Sequence, residues 1–389
     1  MRTRRLPCGT RGAGTCESRP VAGTERVRVG VVGCGMVAQA EHLQNLLHLF
    51  DRFEIAALAD PSRTVREAMA ARYAVRSVYD DYRSLLDAGG VDAVLVSAPA
   101  AVHVEVALAA LDAGVHVFVE KPLCITLADA DRIVAARDRA GKVVQVGYMK
   151  RYDPAWERML AELPKSAAEL RYLRVMCHDP EWVPFFTEAE IIKGTDVPDD
   201  VITATRQAEA QQVEEAVGDG SREAVFAFSD AYLGSMVHDV NVVHGLLERL
   251  GEPLPVQVAD AAWWNEGRAI TGSLELANGA RWDNAWIQLL DVREYQEQVT
   301  LYFRDSLRQL TFPSPWLRQA PTRYERSEAD ELDRSVRVFE SHREAFVREL
   351  EHFHDCVTTG ATCRTPPEQA RVDIDVLTKM FRAAQREDS

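Results

Sequence analysis

From about Arg26 onward, short apolar runs alternate with segments whose apolar residues recur at helical spacing. Val27–Val32 is a compact apolar run that stops at glycine, as a strand buried on both faces does. Residues 36–50 have the spacing of a helix, and Phe53–Ala59 reads as a second strand ending in Asp60-Pro61. Residues 62–73 read as helix, Val91–Ser97 as a third strand and 102–113 as a helix closed by Gly114. Val115–Val119 is a fourth strand running into Glu120-Lys121-Pro122. Residues 126–140 are a helix closed by Gly141, and Val143–Val146 is a fifth strand. Strands alternating with helices over short links predict a parallel sheet covered on both faces. Right-handed crossovers make it doubly wound.

After about Gly147 the rhythm changes. Strand-like runs at 170–177, 256–264, 269–276, 280–290 and 297–303 are separated by turns such as Asn278-Gly279, a strong hairpin signal. Residues 186–230 are polar and rich in Glu, Gln and Ala, with a helix expected over 199–217; 341–358 and 367–385 read as two closing helices. The expected fold is therefore α/β: an N-terminal Rossmann-type parallel sheet, followed by an α+β domain with a largely antiparallel open sheet. The expected divisions are a disordered extension over 1–25, a dinucleotide domain over 26–148 and a substrate-binding and oligomerisation domain over 149–389, with an insert at about 184–230.

Composition narrows the function classes. The 389 residues include 47% apolar and 27% charged residues, ordinary for a globular chain. A net charge of −15 argues against nucleic acid or an anionic membrane as partner, since no basic field offsets phosphate repulsion. Seven cysteines lie scattered at 8, 16, 34, 124, 177, 356 and 363, without metal-ligand spacing. We expect a reduced, cytoplasmic setting and no metal. The Arg-rich first 25 residues have no apolar core and are not read as a secretory signal.

Gly33-Cys34-Gly35-Met36-Val37-Ala38 has the form GxGxxA, after a strand and opening a helix. Gly33 permits the tight turn, Gly35 lets the backbone approach a pyrophosphate, and Met36 and Val37 bring the helix N-terminus to it. Asp60, ending the next strand, is placed to accept hydrogen bonds from a ribose, which favours NAD. Arg63 could turn toward a 2′-phosphate and keeps NADP open. Ser97 and Pro99, at the end of the third strand, border the same crevice.

Candidate chemistry follows from position. Lys121 stands at the carboxyl rim of the sheet, where a nearby cationic ring and burial lower an amine's pKa and fit it to take an alcohol proton. Glu120 would fix Lys121 or touch the cofactor ribose. Residues 233–250 form an amphipathic helix, with Met236, Val240, Val243 and Leu247 toward a core and Gly234, His238, Asn241 and Gly245 on an adjacent face. His238 would relay a proton or hold a hydroxyl, though spacing alone equally describes a core histidine. Asp239 reads as a solvated or capping charge and His244 as structural. Met149, Lys150 and Arg151 follow the fifth strand at a domain junction and suit a polyhydroxylated substrate; an ordinary junction with Arg151 in an ion pair is the alternative. Asp179 and Asp230 are weaker candidates. The tryptophans at 263, 264, 282 and 286 read as sheet packing or a subunit interface.

Together, VGVVGCGMVAQAEHL, VDAVLVSAPAAVHVEVALAALDAGVHVFVEKPL, VGYMKRYDPA and GSMVHDVNVVHGLL resemble the Gfo/Idh/MocA oxidoreductases, from about Arg26 to about Arg382. The resemblance implies that Lys121 and His238 form the catalytic group. The junction segment and the HDVN helix look most like the inositol dehydrogenase branch, where residues matching Met149 and Lys150 line the substrate pocket. It also implies a dimer or tetramer built on the second sheet. Two departures stand out: the Asp that often precedes the helix histidine by four residues is Gly234, and the Asn that often follows the third-strand proline is Ala100. Asp230 or Asp179 would have to replace the former. The expected activity is hydride transfer between NAD (NADP as the lesser choice) and a secondary alcohol of a cyclitol or sugar. An NAD-retaining glycosidase-type redox enzyme and a non-enzymatic metabolite sensor are the alternatives.

Overall fold

The structure is a computed structural model that describes residues 26–180, 190–254, 257–330 and 332–385. The N-terminal extension and the first residues of the expected insert lie outside these. In the first half, β1 (Val27–Val32), β2 (Phe53–Ala59), β3 (Ser77–Tyr79), β4 (Ala93–Val96), β5 (His116–Glu120) and β6 (Val144–Gly147) form one parallel sheet. Its order is β3-β2-β1-β4-β5-β6, the doubly wound arrangement with its switch point between β1 and β4. The strands are almost continuously apolar because helices cover both faces. Those helices are α1 (Leu43–His48), α2 (Arg63–Tyr73), α3 (Tyr82–Ala88), α4 (Ala100–Asp112) and α5 (Leu127–Ala140). Ser62 and Thr126 cap α2 and α5 by accepting from Val65 N and Asp129 N, and Ala74 and Gly141 end them in left-handed conformations.

In the second half, α6 (Pro154–Glu162) leads to β7 (Leu170–His178), then α7 (Asp199–Val217) and the short α8 (Arg222–Val225). An eleven-residue π-helical run, Phe226–Met236, passes directly into α9 (Val237–Arg249). Next come β8 (Gln257–Trp264), β9 (Ala269–Glu275), β10 (Arg281–Ile287), β11 (Gln296–Phe303), β12 (Ser306–Phe312), β13 (Thr322–Asp330) and β14 (Asp333–Ser341). With β7 they make an eight-stranded sheet of order β14-β13-β12-β11-β7-β10-β9-β8, antiparallel except for the β7–β10 pair. The last helices, α10 (Ala345–Thr359) and α11 (Pro367–Ala384), return to the first sheet. Thr365 Oγ1 donates to Val146 O and Arg364 Nη1 to Arg151 O, which ties the segment between α10 and α11 to the edge strand β6 and the turn that follows it.

The sequence expectations for β1, β2, β7 and β9 to β11 match within a few residues. The strands β3, β12, β13 and β14 and the helix α3 carry no strong pattern in the sequence. Apolar runs do not mark β14 because it is exposed along nearly its whole length. The single helix expected over 36–50 starts instead with a π turn, Ala38–His42.

Candidate active site

The turn after β1 is shaped by its glycines. Gly33 has φ +84°, and a Cβ there would lie 2.6 Å from Ser97 O, so no larger residue fits. Around Gly35 a Cβ would meet nothing within 4 Å, because this backbone faces open space. That space is a cavity of about 1210 Å³ bordered by Gly33, Gly35, Met36, Val37, Asp60, Ser97 and Pro99. It exceeds the ~300–1,000 Å³ common for small-molecule pockets, in keeping with a ligand as long as a dinucleotide. Asp60 is nearly buried; its Oδ2 accepts from Cys34 N at 2.7 Å and its Oδ1 from Ser62 N at 2.8 Å. Burial pushes its carboxyl above the ordinary range, opposed by these two bonds. Arg63 does not join it: its guanidinium is largely exposed and donates to Glu67 one turn along α2.

At the end of β5, Glu120 is buried and fastened. Its Oε1 is 2.6 Å from His42 Nε2, and its Oε2 accepts from Lys121 N at 3.1 Å. Burial raises its pKa, but His42 and the Lys121 charge outweigh this and hold it below the usual value. Glu120 therefore anchors the backbone of Lys121 and does not border the large cavity.

Lys121 reaches across to the second half of the molecule, where its Nζ donates to Gly234 O at 2.5 Å. Burial lowers its pKa, against the pull of Glu120, Asp179 and Asp230, and the nearby Lys150 lowers it further. Gly234, where the sequence resemblance leads to the expectation of a carboxylate, thus supplies its own carbonyl to the amine. The π-helical run is what carries Gly234; widened turns of this kind recur at functional sites. His238 lies just beyond, edge-on to Tyr148 with ring centroids 6.4 Å apart. Burial, then the charges of Lys121 and Lys150, press its pKa well below that of free histidine, so the imidazole is neutral. Its buried Nδ1 has no hydrogen-bond partner among the described residues. Neither Lys121 nor His238 borders the large cavity.

Two carboxylates flank the amine. Asp179, following β7, is held by Ser235, whose Oγ donates to it at 2.7 Å and in turn accepts from Trp286 Nε1 at 2.9 Å. Burial raises the Asp179 pKa above the ordinary range. Asp230 stands at the exposed edge of the π-helical run, where surrounding protein and Glu209 raise it to about 6.

The junction residues divide. Met149 is buried. Lys150 is buried against Glu297 with Nζ 2.5 Å from Oε2, and Tyr295 donates to the same carboxylate. Burial lowers the Lys150 pKa, but Glu297 and Asp239 outweigh it and keep the amine charged. Arg151 turns away from the Lys121 cluster: it stacks on Trp156 at 4.9 Å, donates to Asn241 O at 3.1 Å and fills the space beside Gly245. Its geometry is that of the structural alternative weighed from the sequence.

Asp239 corrects a sequence expectation. It is 1% exposed, neither solvated nor a cap, because this part of α9 is packed among α6, α11 and residues 149–152, and faces Glu297. Burial and the adjacent Glu297 push its pKa far up, so this pair of carboxyls does not carry two charges. Glu297 and Tyr295, which sequence reasoning did not single out, arrive on a strand whose polar start, Gln296-Glu297-Gln298, looks like a solvated end. His244 is structural, with Nδ1 2.7 Å from Asp373, which also accepts from Asn241 Nδ2.

Comparison with known proteins fits this geometry. A model of the Gfo/Idh/MocA oxidoreductases, described by an NAD-binding Rossmann fold, matches residues 27–148. The match covers the parallel sheet and the helices around it. Among curated relatives, the inositol 2-dehydrogenase of Salmonella typhimurium is 36% identical over 135 residues, 34% of this chain and 40% of that protein. The inositol 2-dehydrogenase of Paracoccus denitrificans is 38% identical over 154 residues, 39% of this chain and 44% of that protein. The matching stretch thus spans about two fifths of those relatives. Solved structures share the whole fold. UDP-N-acetylglucosamine 3-dehydrogenase from Acidithiobacillus ferrooxidans superposes with a TM-score of 0.69 at 19% identity, over 93% of this chain and 99% of the other. Scyllo-inositol dehydrogenase from Lactobacillus casei, solved with NAD(H) and scyllo-inositol, gives 0.67 at 14% identity, over 94% and 98%.

Proposed function

We propose that this chain is an NAD-dependent dehydrogenase that oxidises a secondary alcohol of a cyclitol or sugar-like ring, or reduces the corresponding ketone. The observation that carries the reading is Lys121, a half-buried residue whose amine pKa is lowered by desolvation at the sheet rim, facing a neutral histidine and two carboxylates. Gly33, Gly35 and Asp60 fit the cofactor: a backbone with no Cβ in the way, and a nearly buried carboxylate at the end of β2. NAD, bound there, supplies the hydride acceptor.

The protein's own residues handle the proton. A neutral lysine amine has two N–H donors and one lone pair. Gly234 O takes one donor, which orients the lone pair for the substrate hydroxyl. As the C–H bond breaks, the O–H proton passes to Lys121 Nζ, and the carbonyl forms. Asp179 and Asp230 favour the resulting ammonium. His238 offers a neutral ring nitrogen to a neighbouring hydroxyl. The charged Lys150 adds a donor for a polyhydroxylated ring. The inositol dehydrogenases among the relatives support cyclitols as the first substrates to try.

The reading extends to a homodimer or homotetramer formed through the outer face of the eight-stranded sheet, where Trp264, Val336 and Val338 are exposed, and to a cytoplasmic setting, supported by the free thiols of Cys34, Cys124 and Cys177. Among the described residues no helix is long and apolar enough to cross a membrane. The test of the activity is a panel of inositols, amino-cyclitols and sugars with NAD and NADP, followed as absorbance of the reduced cofactor. Turnover of a ring polyol supports the proposal; none with any member of the panel in either direction overturns it. Light scattering that finds only monomer overturns the oligomer.

A further inference from the structure

We propose that Asp196, on the segment between β7 and α7, is a determinant of cofactor choice that excludes a 2′-phosphate; this rests on the dinucleotide reading above. The far wall of the large cavity is not built from the parallel sheet. It is built from residues 190–209, including Ile192, Lys193, Gly194 and Arg206, which cross over the opening from the second half of the chain. Two contacts fasten this strap to the first half. Near the glycine turn, Gln39 Nε2 donates to Ile192 O and Ile192 N donates to Gln39 Oε1, both at 2.9 Å. At the start of α2, Asp196 Oδ1 accepts from Ser62 Oγ at 2.5 Å, and Oδ2 accepts from Thr64 N at 2.9 Å and Thr64 Oγ1 at 3.0 Å. Gly194 sits so close to Ser62 that a Cβ there would lie 2.8 Å from it.

The start of α2 is where a 2′-phosphate next to Asp60 would have to be received. A helix N-terminus favours an anion because its first N–H groups are free and its dipole end is positive. Here two of those groups, Thr64 N and Val65 N, and the N-cap's own N–H are already taken. Ser62 N donates to Asp60 Oδ1, Val65 N to Ser62 Oγ and Thr64 N to Asp196. Asp196 thus occupies, with its own carboxylate, the place a phosphate would fill. These bonds, Ser62 foremost, lower its pKa to about 2, so it is ionised throughout the working range. Its charge reaches Asp60, whose carboxyl it raises. A ribose hydroxyl can donate to Asp60, which borders the cavity, without involving Asp196. A phosphate monoester, with roughly −1.5 to −2 charge at neutral pH, meets both Asp60 and Asp196, and the two arginines at the start of α2 are engaged elsewhere: Arg63 donates to Glu67, and Arg66 to Asp60 O and Pro61 O.

The test is direct binding of NADH and NADPH to the full chain, read by nicotinamide fluorescence without substrate. Asp196→Asn keeps an oxygen for Ser62 and removes the charge. The Kd ratio of NADPH to NADH should fall at least tenfold in this variant, with NADH affinity within threefold of wild type. In wild type the same ratio should shrink as salt rises from low to 0.5 M, since the exclusion is electrostatic. A ratio unchanged in the variant, or independent of salt, overturns the role of Asp196. If wild type binds neither dinucleotide, the dehydrogenase reading itself falls with it. Binding of NADH with an unchanged ratio in Asp196→Asn overturns only the present proposal.

Discussion

Replacing Lys121 by Met tests the centre of the proposed chemistry. Methionine keeps most of the aliphatic stem and removes the amine, so packing between the sheet rim and the π-helical run is largely preserved. The variant leaves Gly234 O without its 2.5 Å donor, a loss of about 1–3 kcal/mol, but relieves the desolvation that lowers the amine's pKa. These oppose each other, so melting should shift by only a few degrees. Catalysis should respond far more. A positioned general base contributes about 10²–10⁴-fold. At ~1.36 kcal/mol per decade this is a barrier increase of about 2.7–5.4 kcal/mol. The assay is kcat for cyclitol oxidation across pH, with NADH affinity measured by fluorescence on the same samples. In wild type the oxidation rate should rise with pH as Lys121 loses its proton. It should level off below the ordinary lysine value of 10.5, because burial favours the neutral amine. Lys121→Met should lose that limb and at least a hundredfold in kcat, with NADH affinity changed less than threefold. A variant within tenfold of wild-type kcat, still showing the limb, would refute Lys121 as the base.

Asp230→Asn should move the pH limb of oxidation to lower pH. The carboxyl is ionised above about 6, its charge favours the ammonium of Lys121, and removing it lowers the lysine pKa further; a pH–kcat/KM profile decides the sign. Gly33→Ala should weaken NADH binding more than tenfold in a fluorescence titration. The left-handed φ of +84° costs an alanine about 1–2 kcal/mol, and its Cβ would press on Ser97 O. Lys150→Met should destabilise the protein by about 3–5 kcal/mol in urea unfolding, because it strands Glu297 beside Asp239 in a buried site. Adding Glu297→Gln should recover more than half, and no recovery would argue that the pair is not the source.

What the sequence determined by itself is local. Strands β1, β2 and β4 to β6 are legible because both faces of a parallel sheet are covered, so each strand is a mostly apolar run, with polar residues such as Arg28 and Glu54 near its start, bounded by turn residues. The glycine turn and Asp60 are legible because few other residues meet their backbone and polar demands at that spacing. Lys121 is legible because strand order fixes which end of the sheet faces the crevice. The tertiary structure decided the rest, through pairs far apart in the chain. Asp239 reads as a surface charge until β11 brings Glu297 against it. Arg151 reads equally as a substrate-binding cation and as a structural junction residue until Trp156 and α9 enclose it. Asp196 is one acid among many in a polar stretch until the strap lays it on Ser62, 134 residues away. Strand β14 escapes periodicity because an edge strand exposed along nearly its whole length needs no apolar alternation, and its pairing with β13 comes from the backbone. Hydrophobic pattern records whether a position is covered; it does not record by what, and for a buried polar group that partner sets charge, proton and function.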